Sequence, residues 1–228
     1  MKFCSLVSLA VCLLASAAVS QGALVTVPLK DAFGVDSGWD AILSDDIHTG
    51  IVVDKVTSTY VRIEIFKDLY LPAENGQFPP HVIQFHARVG AAPAVSTIRI
   101  TDETIINDTG SPWLDYHWAV SGAAASFNKT LTDASGFSVT PFQAKAWGPT
   151  SYDTDHSNSL GAFSGLIPVG GSYRPGLDAG ELYIDVLSNV DSRDFTLMQY
   201  PTPEPATLAT LVLGGAGVLA RRRRHGAV

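Results

Sequence analysis

A strict alternation of apolar and polar residues is the feature that most limits what this chain can fold into. In Tyr60–Ile65, three aliphatic residues share one side of an extended chain, and an arginine and a glutamate share the other. The same pattern recurs at Ser96–Thr101 and at Glu181–Leu187. A period of two residues predicts β-strands with one buried face and one solvated face.

The rest of the chain between its two ends also favours strands over helices. It contains no stretch of helical period longer than about three turns and no internal repeat, and Gly, Pro, Asn and Asp separate its apolar runs. Further strands are predicted at Leu24–Val27, Ile51–Val53, His81–Val89, Asp115–Val120, Gly136–Thr140, Phe142–Trp147 and Asp194–Gln199. We therefore predict an all-β fold, an antiparallel β-sandwich of jelly-roll type, with a barrel as the alternative.

The N-terminus has the three parts of a secretory signal peptide. Lys2 supplies a positive charge, Leu6–Ala17 is apolar, and small residues up to Ser20 offer a cleavage site. Residues 1–20 are therefore predicted to be removed. Both cysteines, Cys4 and Cys12, lie in this segment, so the mature protein is expected to have no disulfide and to depend on burial for its stability.

The C-terminus combines a short motif, an apolar segment and a basic cluster. These are Pro203, Glu204 and Pro205, then residues 206–220, then Arg221, Arg222, Arg223 and Arg224. The apolar segment is shorter than the roughly 20 residues of a typical spanning helix, but we predict a single transmembrane helix here. Because arginines beside such a helix stay in the cytoplasm, the body would lie on the outer side. An ordinary, uncleaved tail anchor is the alternative.

The order of these C-terminal parts resembles the PEP-CTERM sorting signal of bacteria that have exosortases. The resemblance implies that an exosortase in the inner membrane recognises the tripeptide, removes the tail, and passes the protein to the cell surface or the secreted matrix. It departs from the usual pattern at Thr202, where Val is common. The expected organisation is a signal peptide (1–20), a β-sandwich passenger (21–200) and a sorting signal (201–228).

The charge of the body argues against nucleic acid as a partner. Of 15 Lys and Arg, five lie in the two terminal segments, and of 22 Asp and Glu, one does. The remaining 10 basic and 21 acidic residues give the body a net charge of −11. A net charge of this size favours solubility and repels phosphate polymers.

Aromatic residues after position 112 suggest a binding surface. Residues 100–110, followed by 113–118, resemble a strand, turn and aromatic strand found in β-rich passengers of the same sorting class. Strict alternation would place Trp113, Asp115 and His117 on one face, where they could stack against a sugar. Alternatively, Trp113 and His117 simply cover the outside of the sheet.

The range Gly148–Gly180 is predicted to be the longest irregular stretch. Asp153, Asp155 and Asn158 within it offer oxygen ligands of the kind that calcium prefers. The spacing does not match an EF-hand, because Asn158 stands where that loop needs glycine. A calcium site and a solvated turn are the two interpretations, and the turn is the default.

No sequence signature of an enzyme is present. The chain has no Gly-x-Ser-x-Gly elbow, zinc-protease motif, Walker loop or dinucleotide fingerprint. We predict a non-enzymatic surface or matrix protein with a structural or adhesive role, whose partners are exosortase and, before processing, the membrane. One alternative is a glycan-binding module for extracellular polysaccharide, with calcium as a cofactor. A second is a secreted glycoside hydrolase or lyase whose catalytic residues converge only in the fold.

Overall fold

A computed structural model of the chain describes residues 24–44, 48–74, 77–89, 94–177, 179–190 and 192–203. The elements are β1 (Val25–Lys30), β2 (Asp36–Leu43), β3 (Thr49–Val56), β4 (Tyr60–Leu69), β5 (His81–Ala87), β6 (Thr97–Ile100), β7 (Thr104–Asn107), β8 (Trp113–Ser121), β9 (Ala125–Asn128), α1 (Lys129–Ala134), β10 (Ala144–Trp147), β11 (His156–Ser157), β12 (Ser159–Phe163), β13 (Ser172–Tyr173), β14 (Leu182–Val186) and β15 (Phe195–Pro203). The described part is therefore almost entirely β-structure.

The strands form two sheets, which confirms the sandwich-like β architecture. Sheet A has seven strands in the order β1-β2-β5-β15-β8-β12-β10. Each neighbouring pair in it is antiparallel. The last described strand of the chain, β15, occupies the middle of this sheet. The jelly-roll connectivity stays a prediction.

Sheet B is mixed, so the expectation of a purely antiparallel sandwich is wrong for it. Its path is β11-β9-β14-β6-β4-β7-β13, and β3 pairs with the other edge of β4. Both β6 and β7 run parallel to β4 along the same edge. Between them the chain turns away at Asp102, whose φ is 44°. This break positions Glu103, which is buried.

The two sheets enclose one aromatic and aliphatic core. At one end, Phe85 and Phe195 stack with their ring centroids 4.8 Å apart, and Trp39 meets Phe195 edge-on. At the other end, Tyr116 makes edge-on contacts with Trp118 and Tyr173. Full burial of a large apolar side chain contributes about 1.5–3 kcal/mol, so these rings account for much of the stability of a body without disulfides.

The three alternating segments are confirmed as strands. They lie in β4, β6 and β14, and their aliphatic side chains are buried as the period of two residues requires. Two other predictions are wrong. The range Gly136–Thr140 follows α1 without forming a strand, and Gly148–Gly180 contains β11, β12 and β13. Of these, β12 is an interior strand of sheet A.

The predicted signal peptide and the predicted C-terminal helix lie outside the described residues. Within the described ranges, no helix has the length and apolar character needed to cross a membrane. The described helix α1 has six residues.

Candidate functional site

The end of β15 carries the chain into the Pro-Glu-Pro motif. Pairing with β5 ends at Gln199, whereas pairing with β8 continues to Pro203, opposite Trp113. Pro201 is buried within this last stretch. Residues 200–202 are therefore part of sheet A. Prolines are tolerated there because β15 has already lost its β5 neighbour and no longer needs a donor on that side.

Asp115 on β8 holds the C-terminal end of β15 through hydrogen bonds to Thr202. Its Oδ1 accepts hydrogen bonds from the Thr202 backbone N–H at 2.9 Å and from the Thr202 hydroxyl at 2.5 Å. His117 Nε2 lies 3.4 Å from the same oxygen. Although burial raises the pKa of Asp115, the hydrogen bonds from His117 and Thr202 outweigh it and lower that pKa below 3.8. The side chain is therefore held as a carboxylate against the start of the sorting segment.

Trp113 does not belong to an exposed sugar-stacking face. Its side chain is fully buried, and its indole N–H donates to the Thr109 hydroxyl at 3.1 Å. The physical reason is a β-bulge. Opposite the consecutive residues Thr202 and Pro203 of β15, β8 places Asp115 and Trp113, so Leu114 is an extra residue. The bulge turns Trp113 to the core face, together with Tyr116.

Asp115 and His117 do share the outer face of sheet A, as predicted, but with other aromatic neighbours. The His117 ring stacks on Tyr200 of β15 with a centroid distance of 5.2 Å. Phe163 of β12 meets His117 edge-on at 5.4 Å. These three rings form a half-buried row across β12, β8 and β15, which we call the outer aromatic row.

The residues of the predicted calcium site do not converge. Asp153 Oδ1 pairs with His156 Nδ1 at 2.6 Å, Asp155 accepts from the Thr130 hydroxyl at 3.0 Å, and Asn158 is exposed. The hydrogen bond with His156 lowers the pKa of Asp153. Within the described ranges, no group of three or more His, Cys, Asp or Glu is placed to hold a metal ion. The geometry here is that of a turn anchored by His156.

A buried polar cluster, absent from the predictions, lies between the sheets. Lys67 of β4, Glu103 and Gln199 of β15 have exposures of 3 %, 1 % and 0 %. Lys67 Nζ lies 2.5 Å from Glu103 Oε1 and also contacts Gln199 Oε1. Gln199 Nε2 donates to Glu103 Oε1 at 2.6 Å. We call these three residues the buried triad.

Alternation was the signal that could have revealed two members of the triad. The inward positions of β4 run Val61, Ile63, Ile65 and then Lys67. On β15, Gln199 occupies the next inward position after Phe195 and Leu197. A lysine and a glutamine on buried faces need partners. Alternation could not reveal Glu103, because it lies in the break between β6 and β7 and not in a strand.

Comparison with protein families bears on the C-terminal segment. Residues 201–224 match the family model described as the PEP-CTERM protein-sorting motif. The chain carries a PEP-CTERM sorting motif. This confirms the resemblance inferred from the sequence, and it joins the motif to a β-rich N-terminal body. The motif begins inside β15, because its first three residues are the last three of that strand.

The PEP-CTERM motif implies an exported protein that exosortase processes and that is sorted to the cell surface. Glu204, Pro205 and the cluster Arg221, Arg222, Arg223 and Arg224 lie outside the described residues. No curated protein and no solved structure matches the chain. The role of the body must therefore be argued from its own geometry.

Proposed function

We propose that the β-sandwich is a non-catalytic structural or adhesive component of the cell surface or extracellular matrix, delivered there after exosortase removes the tail. The observation that supports this role is the position of β15. The strand that leads to the sorting motif is the central strand of sheet A and has β5 on one side and β8 on the other.

This arrangement suits a body that is held by its C-terminal end. Along Thr196–Gln199, β15 is paired with both neighbours, and Asp115 adds two hydrogen bonds at Thr202. A pull along β15 has to break the hydrogen bonds to both neighbours together. A C-terminal strand at the edge of a sheet would be held by one neighbour only.

The intact mass of the protein tests the delivery step. It should be measured for the full chain recovered from membranes, cell surface and medium, in the native host and in a strain without exosortase. We expect the surface form to lack its tail in the host and to keep it in the mutant strain. Pro203→Ala should reproduce the mutant result in the host, whereas Pro168→Ala, away from the motif, should be processed normally. A full-length tail at the inner membrane of both strains would contradict the proposal.

A glycan-binding role is the second candidate, and the outer aromatic row favours it. Rings on a sheet surface stack against the apolar faces of sugars, and His117, Tyr200 and Phe163 are contiguous. Retention on extracellular polysaccharide should be lost in Tyr200→Ala and kept in Tyr183→Ala, on the opposite sheet. Equal retention of both variants would remove this surface from consideration, and release of sugars from the polysaccharide would instead favour the hydrolase or lyase alternative.

A further inference from the structure

The buried triad places an amine, a carboxyl group and a primary amide in mutual contact. Glu103 Oε1 is the shared partner, 2.5 Å from Lys67 Nζ and 2.6 Å from Gln199 Nε2. Lys67 Nζ also contacts the amide oxygen of Gln199, which is one bond away from the amide carbon. These are the groups that an amide exchange requires: a nucleophile, an electrophilic carbon and a group that can move protons between two nitrogens.

We propose that Lys67 and Gln199 form an intramolecular isopeptide bond, and that Glu103 is the general base and acid of its formation. The reaction joins Lys67 Nζ to Gln199 Cδ and breaks the bond between Cδ and Nε2. Glu103 takes the proton that Lys67 Nζ loses and delivers it to Nε2, so that ammonia leaves. The step is an exchange of one amide for another, and it involves no oxidation, reduction or additional reactant.

The surroundings of the triad favour the reactive form of the amine. Burial lowers the pKa of Lys67, and the nearby charge of Glu103 offsets this only in part. A neutral amine is the nucleophilic form of lysine. The side chain of Lys67 is fully buried and that of Glu103 is 1 % exposed, so water has little access to compete with the amine for the amide carbon.

Neighbouring aromatic side chains hold the reacting groups. The Trp118 indole N–H donates to Glu103 Oε2 at 3.0 Å, which leaves Oε1 directed at Lys67 and Gln199. The Tyr116 ring centroid lies 5.8 Å from Lys67 Nζ. The buried hydroxyls of Tyr116 and Tyr173 have no hydrogen-bond partner among the described residues.

The bond would connect the two sheets of the sandwich. Lys67 belongs to β4 in sheet B, and Gln199 belongs to β15, the central strand of sheet A. The product is a covalent link between the interior of the body and the strand that carries the sorting motif. This inference goes beyond the proposed function and does not depend on it, because the chemistry needs only the folded body.

Peptide mapping of the purified full chain tests the bond. Trypsin cleaves after Arg62 and Lys67, so an unmodified chain releases the peptide Ile63–Lys67. We expect that peptide to be missing. In its place there should be a branched peptide that contains both Lys67 and Gln199, lighter by the mass of one ammonia molecule. Quantitative release of free Ile63–Lys67 from folded protein would overturn the proposal and leave an unreacted buried ion pair. Loss of a water molecule instead of ammonia would also overturn it, because the bond would then lie on Glu103.

Two variants and a control test the roles of the residues. Glu103→Gln keeps the shape of the side chain and removes the proton carrier, so the branched peptide should fall at least tenfold while Lys67 and Gln199 stay in place. Lys67→Met removes the nucleophile and should abolish the branch; it is expected to fold, since Gln199 and Trp118 still donate to Glu103. Lys145→Met, at a lysine paired with Asp133 outside the core, should leave the branch unchanged. An undiminished branch in folded Glu103→Gln would overturn the role of Glu103.

Discussion

Inside the sandwich, Gln199 of β15 contacts Lys67 and Glu103 in a cluster without solvent. Three residues later, Thr202 contacts a partly exposed carboxylate on the outer face of sheet A. Both sites hold the same strand with charged groups. The inner cluster is enclosed by aromatic rings, and its polar groups have no access to water. The outer site keeps about a fifth of its side-chain surface, since Asp115 is 21 % exposed.

The difference in solvation decides what each site can do. Charged groups without access to water must be paired, neutralised or consumed by a reaction. Removing one partner of such a pair is strongly destabilising, because the other group is left buried and unpaired. Charges near water contribute modestly, and they respond to pH and salt. The inner site is therefore suited to a permanent connection between the sheets, and the outer site to an adjustable contact at the start of the sorting motif.

Removing the nucleophile of the inner site should have the largest effect. We expect Lys67→Met to lower the free energy of unfolding by about 5 kcal/mol, the size estimated for a cross-link that closes a loop of more than a hundred residues. Chemical denaturation of full chains measures it. Lys145→Met should change stability by less than about 0.5 kcal/mol. Equal stabilities of the two variants would show that the inner site contributes no more than a surface lysine.

The second largest loss of stability is expected at Trp113, which the bulge at Leu114 turns into the core. Trp113→Ala should lower the free energy of unfolding by about 4 kcal/mol, because it leaves a cavity in the core and removes the hydrogen bond from the indole to the Thr109 hydroxyl. His117→Ala, at the outer face, should cost about 1 kcal/mol. Comparable costs would place Trp113 outside, as strict alternation predicted.

At the outer site, Asp115→Ala should destabilise the protein by about 1.5 kcal/mol, the typical contribution of a hydrogen bond to a charged group. The change should be local. Hydrogen exchange of the Thr202 amide should accelerate in the variant, because its acceptor is lost, while the amide of Leu197 keeps its rate. Unchanged exchange at Thr202 would show that Asp115 does not hold this strand end.

The smallest effect is the pH dependence of the same contact. The folded-state pKa of Asp115 is below 3.8, so its contribution is complete above the unfolded value and is lost as the pH falls through the folded value. The stability difference between the wild type and Asp115→Asn should therefore shrink in acid. Urea unfolding between about pH 6 and about pH 2 measures this, with the exposed Asp108→Asn as control. A difference that grows in acid would contradict the assigned direction.

The sequence predicted those strands whose burial shows as an alternation of apolar and polar residues within the strand itself. The strands β4, β6 and β14 have one buried face, and their alternation made them visible. Strand β12 was missed because Leu160, Gly161 and Ala162 are all buried, and a strand covered on both faces does not alternate. In β2, Gly38 has a φ of 81° and packs against Ala94, which interrupts the pattern.

The candidate sites also differ in whether consecutive residues form them. The sorting motif is contiguous and could be predicted from its residue types and their order. The position of Trp113 depends on how β8 is aligned with β15, some ninety residues later, so no local pattern reports it. The buried position of Glu103 depends on the break between β6 and β7, which both pair with the same edge of β4. Its contact with Gln199 forms only when the two sheets pack together.

The central place of β15 also sets the order in which the body can be completed. The strands β5 and β8 have no pairing with each other in the described structure, and β15 is their shared neighbour. Because a chain that is made and exported from its N-terminus delivers residues 195–203 after every other strand, sheet A stays in two parts until they arrive. The closing of the sheet thus marks the moment at which the whole body has crossed and only the sorting tail remains.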